Sequence, residues 1–349
     1  MPRSVKPDET KDSVKDYYAN VLKSKDDLQT SACCTAEATP MHLRPLLKNI
    51  HEDVQSKFYG CGSPIPPAVE GCTILDLGCG SGQDVYLLSQ LVGPKGKVIG
   101  IDMTEEQLAV ARQHIDWHTD NFSYSAPNVD FREGFIEDLQ SAGIEDNSID
   151  VVISNCVINL SPDKEAVFRE IFRVLKPGGE LYFSDVFAGR RIPEDLKSDP
   201  VLLGECLSGA LYTEDFRRIL QDVGCLDYRV VSSTPFTINN PEIEKKIGHI
   251  DFYSMTMSAF KCDFEDICEN YGQSATYKGN VEHSPDSFTL DDHHEFKTGA
   301  PMAVCGNTAK MVSETRLAPH FEVQGDMSTH QGPFDCVLAK STKQTGGCC

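Results

Sequence analysis

The feature that most constrains this chain is the stretch D-x-G-x-G-x-G at residues 76–82. It follows a short apolar run that predicts a buried strand at 73–78, and an amphipathic helix is predicted from Gln83 onward. A strand, a glycine-rich turn and a helix open many α/β domains that bind nucleotide-like ligands, because glycine permits close backbone approach. The dinucleotide pattern G-x-G-x-x-G would need glycine at position 83, where Gln83 stands. The turn therefore predicts a different nucleotide-type ligand, with a glycine turn that binds nothing as the alternative.

The rest of the chain alternates predicted strands and helices up to about residue 235. Such alternation is typical of a mainly parallel, doubly wound α/β sheet. Beyond residue 235 the chain turns acidic, with glycine and proline between short extended runs, which predicts a small β-rich C-terminal domain. We expect four segments: an N-terminal helical and loop segment (1–66), the α/β domain (67–235), a C-terminal α+β domain (236–335) and a flexible cysteine-containing tail (336–349).

Composition narrows the class of partner. The 349 residues carry a formal net charge of −21, so no basic stripe is available to neutralise the phosphates of a nucleic acid. No apolar run approaches the roughly 18 residues of a membrane span, and the polar N-terminus lacks the apolar core of a secretory signal. These features predict a soluble cytoplasmic protein, with neither nucleic acid nor membrane as a partner.

The glycine turn resembles the first motif of S-adenosylmethionine (SAM) methyltransferases. That resemblance implies a seven-stranded, Rossmann-like sheet with SAM at the carboxyl ends of its strands. Asp102 follows Gly82 by 20 residues at the end of the second predicted strand, where a carboxylate can bind ribose hydroxyls; a helix-start Asp is the alternative. The residues expected to bind SAM are Asp76, Gly78, Gly80, Gly82, Asp102, Met103, Ile136, Glu137 and Asn155.

Fourteen cysteines are an unusual number for a chain without a secretory signal, and their positions are informative. Cys156 and Cys206 follow the fourth and fifth predicted strands, at the sheet edge where ligands bind. Cys61 lies in a Gly/Pro-rich loop before the sheet, and Cys33 lies in an earlier loop. A single cysteine is usually a small buried hydrophobe, but several thiols beside a methyl donor indicate a soft methyl acceptor.

The chain also resembles arsenite methyltransferases, strongly over 14–235 and more weakly over 236–325. The specific stretches are SNCVINL at 154–160 and GECLSGAL at 204–211, whereas LKPGG at 175–179 is shared by many methyltransferases. The resemblance implies that Cys61, Cys156 and Cys206 bind As(III) and that Cys33 is their redox partner. It also implies that Tyr59 lies beside the SAM sulfonium in a cation–π contact. Cys34 receives no role from it. Cys348 and Cys349 resemble the thiol-rich tails of some members, and two alternatives stay open for them: passing arsenic inward, or no specific role.

The chemistry of arsenic agrees with these residue types. As(III) prefers thiolates, and a trithiolate leaves it a lone pair that can attack the SAM methyl group. The expected substrates are arsenite and methylarsenite, free or as thiol conjugates, and a thiol reductant such as thioredoxin or glutathione is expected to reset the cysteines. Two alternatives stay open: a SAM-dependent C- or thiol-methyltransferase of a small molecule, and a non-catalytic protein that only binds As(III).

Overall fold

The computed structural model describes residues 40–335, apart from positions 59, 61, 198, 205 and 239. Its main sheet has the strand order β3-β2-β1-β4-β5-β8-β7, with the short β6 paired to β5 beside this path. These strands are β1 (Thr73–Leu77), β2 (Lys97–Asp102), β3 (Val129–Glu133), β4 (Ile149–Asn155), β5 (Leu175–Ala188), β6 (Leu211–Tyr212), β7 (Tyr228–Phe236) and β8 (Phe252–Phe260).

Helices cover both faces of this sheet. The central strands β1 and β4 are almost wholly buried, as parallel strands covered on both faces should be. One core contains Phe168, Phe183 and Phe216 on one face, and the other contains Tyr86 and Leu88 on the opposite face. The helices are α1 (Arg44–Leu47), α2 (Glu52–Ser56), α3 (Gln83–Val92), α4 (Glu105–Gln113), α5 (Ile115–Asn121), α6 (Lys164–Val174), α7 (Pro200–Gly204), α8 (Thr213–Asp222), α9 (Pro241–Ile247) and α10 (Gly306–Ser313).

The predicted doubly wound, mainly parallel sheet is confirmed, with one correction to the domain boundary. Strands β1 to β5 are parallel, but β8 runs antiparallel between β5 and β7. Residues 236–335 are expected to form a separate C-terminal domain, yet β8 (Phe252–Phe260) is part of the first sheet. The alternation of small polar and larger side chains in β8 identified it as a strand but carried no information about its partner strands.

The C-terminal unit therefore begins after Phe260 and is small and β-rich, as predicted. It contains a three-stranded antiparallel sheet, a two-stranded hairpin and α10, packed around Tyr277, Phe296 and Phe321. Its strands are β9 (Gln273–Tyr277), β10 (Ser287–Thr289), β11 (Glu295–Lys297), β12 (Pro301–Val304) and β13 (Phe321–Gln324). Over the described part of the chain, no helix has both the length and the apolar character that crossing a membrane requires.

A buried ion pair joins the C-terminal unit to the main sheet. Arg316 pairs with Glu180 of β5, and both side chains are largely shielded from solvent. A second Arg316 nitrogen donates to the carbonyl of Pro67, 3.0 Å away, at the start of the α/β domain. Arg316 therefore connects three distant parts of the chain.

We predict that Arg316→Met destabilises the protein by about 3 kcal/mol or more, because Glu180 would remain buried without its cation. The matched control is Arg191→Met, which removes an exposed ion pair with Asp215 and should leave stability almost unchanged, because solvent screens such a pair. Urea denaturation of the full chain measures both. An equal, small loss in the two variants would show that the Arg316 pair contributes no more than a surface contact.

Candidate functional site

The glycine turn is tied to the end of β2 by three hydrogen bonds. The N–H groups of Gly78 and Cys79 donate to the carbonyl of Ile101 at 2.7 and 2.9 Å. The Gly80 N–H donates to the Asp102 carboxylate at 2.8 Å. The turn after β1 is thus fixed relative to the neighbouring strand before any ligand is present.

The three glycines of the turn serve different purposes, although all have positive φ angles. A Cβ at Gly78 would lie 2.4 Å from the Val157 side chain, so this glycine permits close packing against the SNCVINL segment. A Cβ at Gly80 would meet nothing within 4 Å, and Gly80 lines an open cavity. Gly82 packs against Phe131 and precedes α3 as its N-cap, so it shapes the turn without lining the cavity.

This cavity lies over the carboxyl ends of β1, β2 and β4. It brings together eight of the ten residues that the sequence analysis expected to bind SAM: Asp76, Gly78, Gly80, Asp102, Met103, Ile136, Glu137 and Asn155. Gly82 is not among the lining residues, and Tyr59 lies outside the described residues. The cavity therefore collects residues from four segments of the chain at the position expected from the order of the strands.

Asp102 combines the two roles that the sequence left open. Its Oδ2 accepts from Gly80 N, and its Oδ1 accepts from the N–H of Thr104 at the start of α4, 2.8 Å away. Asp102 also lines the cavity, where a carboxylate can accept a bond from a ligand hydroxyl. Asp102 is thus both a structural and a candidate binding residue.

Several lining residues were missed by the sequence reasoning, and Gln107 is the most informative. Its Oε1 is buried and has no hydrogen-bond partner within the described structure. Gln107 lines the cavity, so this acceptor is available to a donor such as the amino group of an adenine. Its only sequence signal was a position three residues after Thr104, which indicates helix capping, yet Thr104 makes no side-chain capping bond.

Three buried carboxyl groups make the cavity suited to a cation. Burial raises the pKa of Asp76 well above its usual value, aided by the charges of Asp84 and Asp102. Burial also raises the pKa of Asp102, and it raises that of Asp84 to about 6. The sulfonium and ammonium groups of SAM are positively charged, so they can offset the repulsion among these carboxylates and favour their ionised forms.

Asn155 holds the loop that precedes the sheet. Its Nδ2 donates to Asp84 at 2.9 Å and to the Gly62 carbonyl at 3.1 Å, while its Oδ1 accepts from Gly62 N at 3.2 Å. A Cβ at Gly60 would lie 2.4 Å from Asn155, and one at Gly62 would lie 2.6 Å from Ser184. The backbone on either side of position 61 therefore lies close against the ends of β4 and β5.

Two of the predicted thiol residues meet at the edge of the cavity. The Cys206 Sγ lies 3.2 Å from the carbonyl oxygen of Cys156, to which it donates, and both residues are buried. Both also have left-handed backbones, with φ of 57° for Cys156 and 60° for Cys206. Non-glycine residues rarely adopt this conformation, which costs on the order of 1 kcal/mol or more and occurs preferentially at functional sites.

Asp185 completes this cluster and was not selected from the sequence. The sulfurs of Cys156 and Cys206 and a carboxylate oxygen of Asp185 all lie within 4.8 Å of one another. Asn159 holds the carboxylate, donating from Nδ2 at 2.7 Å and from its backbone N–H at 3.1 Å. Burial raises the pKa of Asp185 to about 7. Asp185 ends the stretch GGELYFSD at 178–185 within β5, but a single buried Asp in a strand carries no specific sequence signal.

Cys156 and Cys206 differ in their redox state. Cys156 is disulfide-bonded in this structure. The remaining cysteines of the described residues are reduced thiols: Cys72, Cys79, Cys206, Cys225, Cys262, Cys268 and Cys305. Two predicted site residues, Cys33 and Cys61, lie outside the described residues, as do Cys34, Cys348 and Cys349.

Comparison with known proteins gives consistent matches along the chain. A family model described as a methyltransferase domain matches residues 68–224, and one described as the arsenite methyltransferase C-terminal domain matches residues 271–349. The chain is 50% identical over 325 residues to the arsenite methyltransferase of Aquipseudomonas alcaligenes, covering 93% of each protein. It is 44% identical over 317 residues to that of Homo sapiens, covering 90% of this chain and 84% of the human protein.

A solved structure matches as well. It is the X-ray crystal structure of CrArsM, an arsenic(III) S-adenosylmethionine methyltransferase from Chlamydomonas reinhardtii. The match has a TM-score of 0.83 at 50% sequence identity and covers 85% of this chain and all of that one.

The acidic cavity generates a pH prediction for SAM binding. Since Asp84 has a raised pKa of about 6 and a cationic ligand favours its ionised form, affinity should fall as pH drops below 6. We expect roughly tenfold weaker binding at pH 5 than at pH 7, measured by isothermal titration. Asp84→Asn should weaken binding at pH 7 and flatten this dependence, whereas the exposed control Asp116→Asn should change neither. A wild-type affinity that stays constant between pH 5 and 7 would contradict this interpretation.

Proposed function

The chain belongs to the arsenite methyltransferase family and transfers methyl groups from SAM to arsenic, and on this basis we propose how its cysteines take part. Cys61, Cys156 and Cys206 hold trivalent arsenic as thiolates, and Cys33 takes part in the redox step that follows methyl transfer. SAM occupies the acidic cavity, with Asp76, Gly78, Gly80, Asp102, Met103, Ile136, Glu137 and Asn155 around it and Tyr59 beside its sulfonium.

The observation that carries this proposal is the meeting of Cys156 and Cys206 at the cavity edge. Cys156 also lines the cavity itself, so arsenic bound there would face the methyl donor. As(III) is soft and prefers thiolate ligands. The positive φ of both cysteines accompanies the placement of their sulfurs in one cluster, where they could share a ligand. The proposal therefore accounts for the strained backbone at both positions, which packing alone leaves unexplained.

The assignment of Cys61 is supported by the backbone on either side of it. Gly60 and Gly62 lie against Asn155 and Ser184, which are close to Cys156 in the fold. Asn155 binds Gly62 through two hydrogen bonds and Asp84 through a third. The same side chain thus links the predicted third arsenic ligand to the SAM cavity.

Methyl transfer in this arrangement needs no general base. The arsenic lone pair forms the As–CH3 bond as the S–CH3 bond of SAM breaks, and S-adenosylhomocysteine leaves with that electron pair. The contribution of the protein is to hold the two reactants in line at close range. Arsenic is formally oxidised in this step, and two cysteine thiolates can return two electrons to it by forming a disulfide.

A thiol reductant is required to complete the cycle. The disulfide at Cys156 supports this step, since a sulfur in a disulfide must be reduced before it can bind arsenic as a thiolate. A dithiol reductant such as thioredoxin, or glutathione, would take up the oxidising equivalents. This requirement favours a reducing compartment, and we propose the cytoplasm as the location.

Replacing a central thiol tests the ligand assignment. Cys156→Ser and Cys206→Ser should each lower arsenite methylation by about 100-fold or more, because arsenic loses its position opposite the methyl group. SAM binding should persist in both variants. Labelled SAM, arsenite and a thiol reductant, with methylarsenicals separated by chromatography, give the measurement. The control is Cys225→Ser, a buried thiol outside the cavity, which should stay active. Full activity in either test variant rules out that thiol as a ligand.

The role of Cys33 is tested by separating the two methylation steps. Cys33→Ser should slow methylation of arsenite far more than methylation of methylarsenite, since we assign Cys33 to the redox step of the first transfer. Rates are compared with each substrate supplied separately under excess reductant. An equal effect on both substrates would remove Cys33 from that step.

A further inference from the structure

A second pair of cysteines lies in the C-terminal unit. The residues that follow the two cysteines are joined through their backbones, because the Gly306 N–H donates to the Glu269 carbonyl at 2.9 Å. The Cys268 thiol hydrogen-bonds with the sulfur of Cys305. Cys305 is buried, whereas Cys268 is only partly buried, and neither residue lines the SAM cavity. Cys268 precedes β9 and Cys305 precedes α10, so two segments 37 residues apart in sequence bring the thiols together. The methylation proposed above does not use this pair.

Cys305 occupies an unusual position for a cysteine. It is the N-cap of α10, and its Sγ accepts from the Thr308 N–H at 3.4 Å. The Thr308 hydroxyl also contacts this sulfur at 3.2 Å. Serine, threonine, aspartate and asparagine are the usual N-cap residues, so capping alone does not explain a thiol here.

A buried cation adds to this environment. Arg229 donates to the Thr308 hydroxyl at 3.1 Å and is paired with Asp227 and Asp291. The hydrogen bond from Cys268, the Arg229 charge and the contacts with Thr308 lower the pKa of Cys305 to about 5, although burial opposes this. At neutral pH the pair therefore consists of a thiolate and a thiol in contact, which is the reactive form of a dithiol.

We propose that Cys268 and Cys305 form a second arsenical site that binds methylated trivalent arsenic through two sulfurs. Methylarsonous acid, CH3As(OH)2, has two exchangeable ligands, and this site offers two sulfurs. One thiolate, one thiol and one proton displace two water molecules and form CH3As(S-Cys)2, with no change in oxidation state. Arsenite has three exchangeable ligands and matches the three thiols proposed for the methylation site. The second site thus takes the methylated form.

The surface around the pair suits a methyl-bearing ligand. Ile267 is 53% exposed and Met327 is 36% exposed, although both are large apolar side chains. A Cβ built on Gly306, the residue after Cys305, would lie 3.4 Å from Met327 and 3.1 Å from the Tyr271 ring. Exposed apolar groups next to a dithiol give the arsenic-bound methyl group a contact surface.

The test counts arsenic on the reduced full-length chain after incubation with methylarsonous acid and desalting, using inductively coupled plasma mass spectrometry. Cys268→Ser and Cys305→Asp should each retain one arsenic fewer per chain than the wild type. Aspartate is a strong N-cap residue, so Cys305→Asp keeps the start of α10 while removing the sulfur. Cys262→Ser is the matched control and should lose none. Thiols elsewhere in the chain contribute equally to all variants and cancel in these differences.

A second readout needs no substitution. Methylarsonous acid should protect Cys268 of the wild-type protein from alkylation by N-ethylmaleimide, as read from peptide masses, and Cys305→Asp should abolish this protection. An unchanged arsenic count in either test variant, or equal alkylation of Cys268 with and without the arsenical, overturns the proposal. Either result leaves the methylation mechanism intact, because arsenite methylation by the same protein is measured in parallel.

Discussion

The hydrogen bond from the Gly80 N–H to the Asp102 carboxylate is the constraint on which the rest of the site depends. It joins the turn after β1 to the end of β2 and leaves the open face of Gly80 toward the cavity. Asp102 also fixes the start of α4, the helix that contributes Gln107 to the lining of the cavity. One carboxylate thereby sets the relative position of two strands, a glycine turn and a helix. The cavity exists before a ligand arrives because these bonds are made within the protein.

The acceptor side is organised by backbone conformation. Cys156 follows the end of β4 and Cys206 lies just after α7, and both have a positive φ. The Cys206 thiol donates a hydrogen bond to the Cys156 carbonyl. Val157, the next residue, packs where a side chain at Gly78 would lie. The glycine turn after β1 and the segment that carries Cys156 therefore contact each other directly. A shift of either segment would displace the other. Glycine is therefore required at position 78 for two reasons: its positive φ, and the space that the Val157 side chain occupies.

Much of the fold could be predicted from the sequence, because the patterns that indicate its strands, turns and helices are local. The apolar strands, the glycine turn and the helix from Gln83 depend on periodicity and on turn chemistry within about ten residues. The partners of β8 could not be predicted, since strand pairing between distant segments leaves no local pattern. The same distinction holds for the site. Asp76 and Asn155 lie in motifs that single them out in the sequence, and both line the cavity. Gln107 and Asp185 gain significance only from distant neighbours.

The position of β8 has a consequence for how this architecture can be inherited or re-engineered. Because β8 lies between β5 and β7, the segment after residue 235 fills a gap inside the sheet rather than extending it. A recombination event or gene fusion that joined the chain at residue 235 to a foreign module would leave β5 and β7 with unpaired edges facing each other. Exposed strand edges favour aggregation, so such a chimera would need a replacement strand of the same direction. A junction after Phe260 keeps the main sheet complete, but the foreign module would then have to supply the cation that Arg316 provides to Glu180.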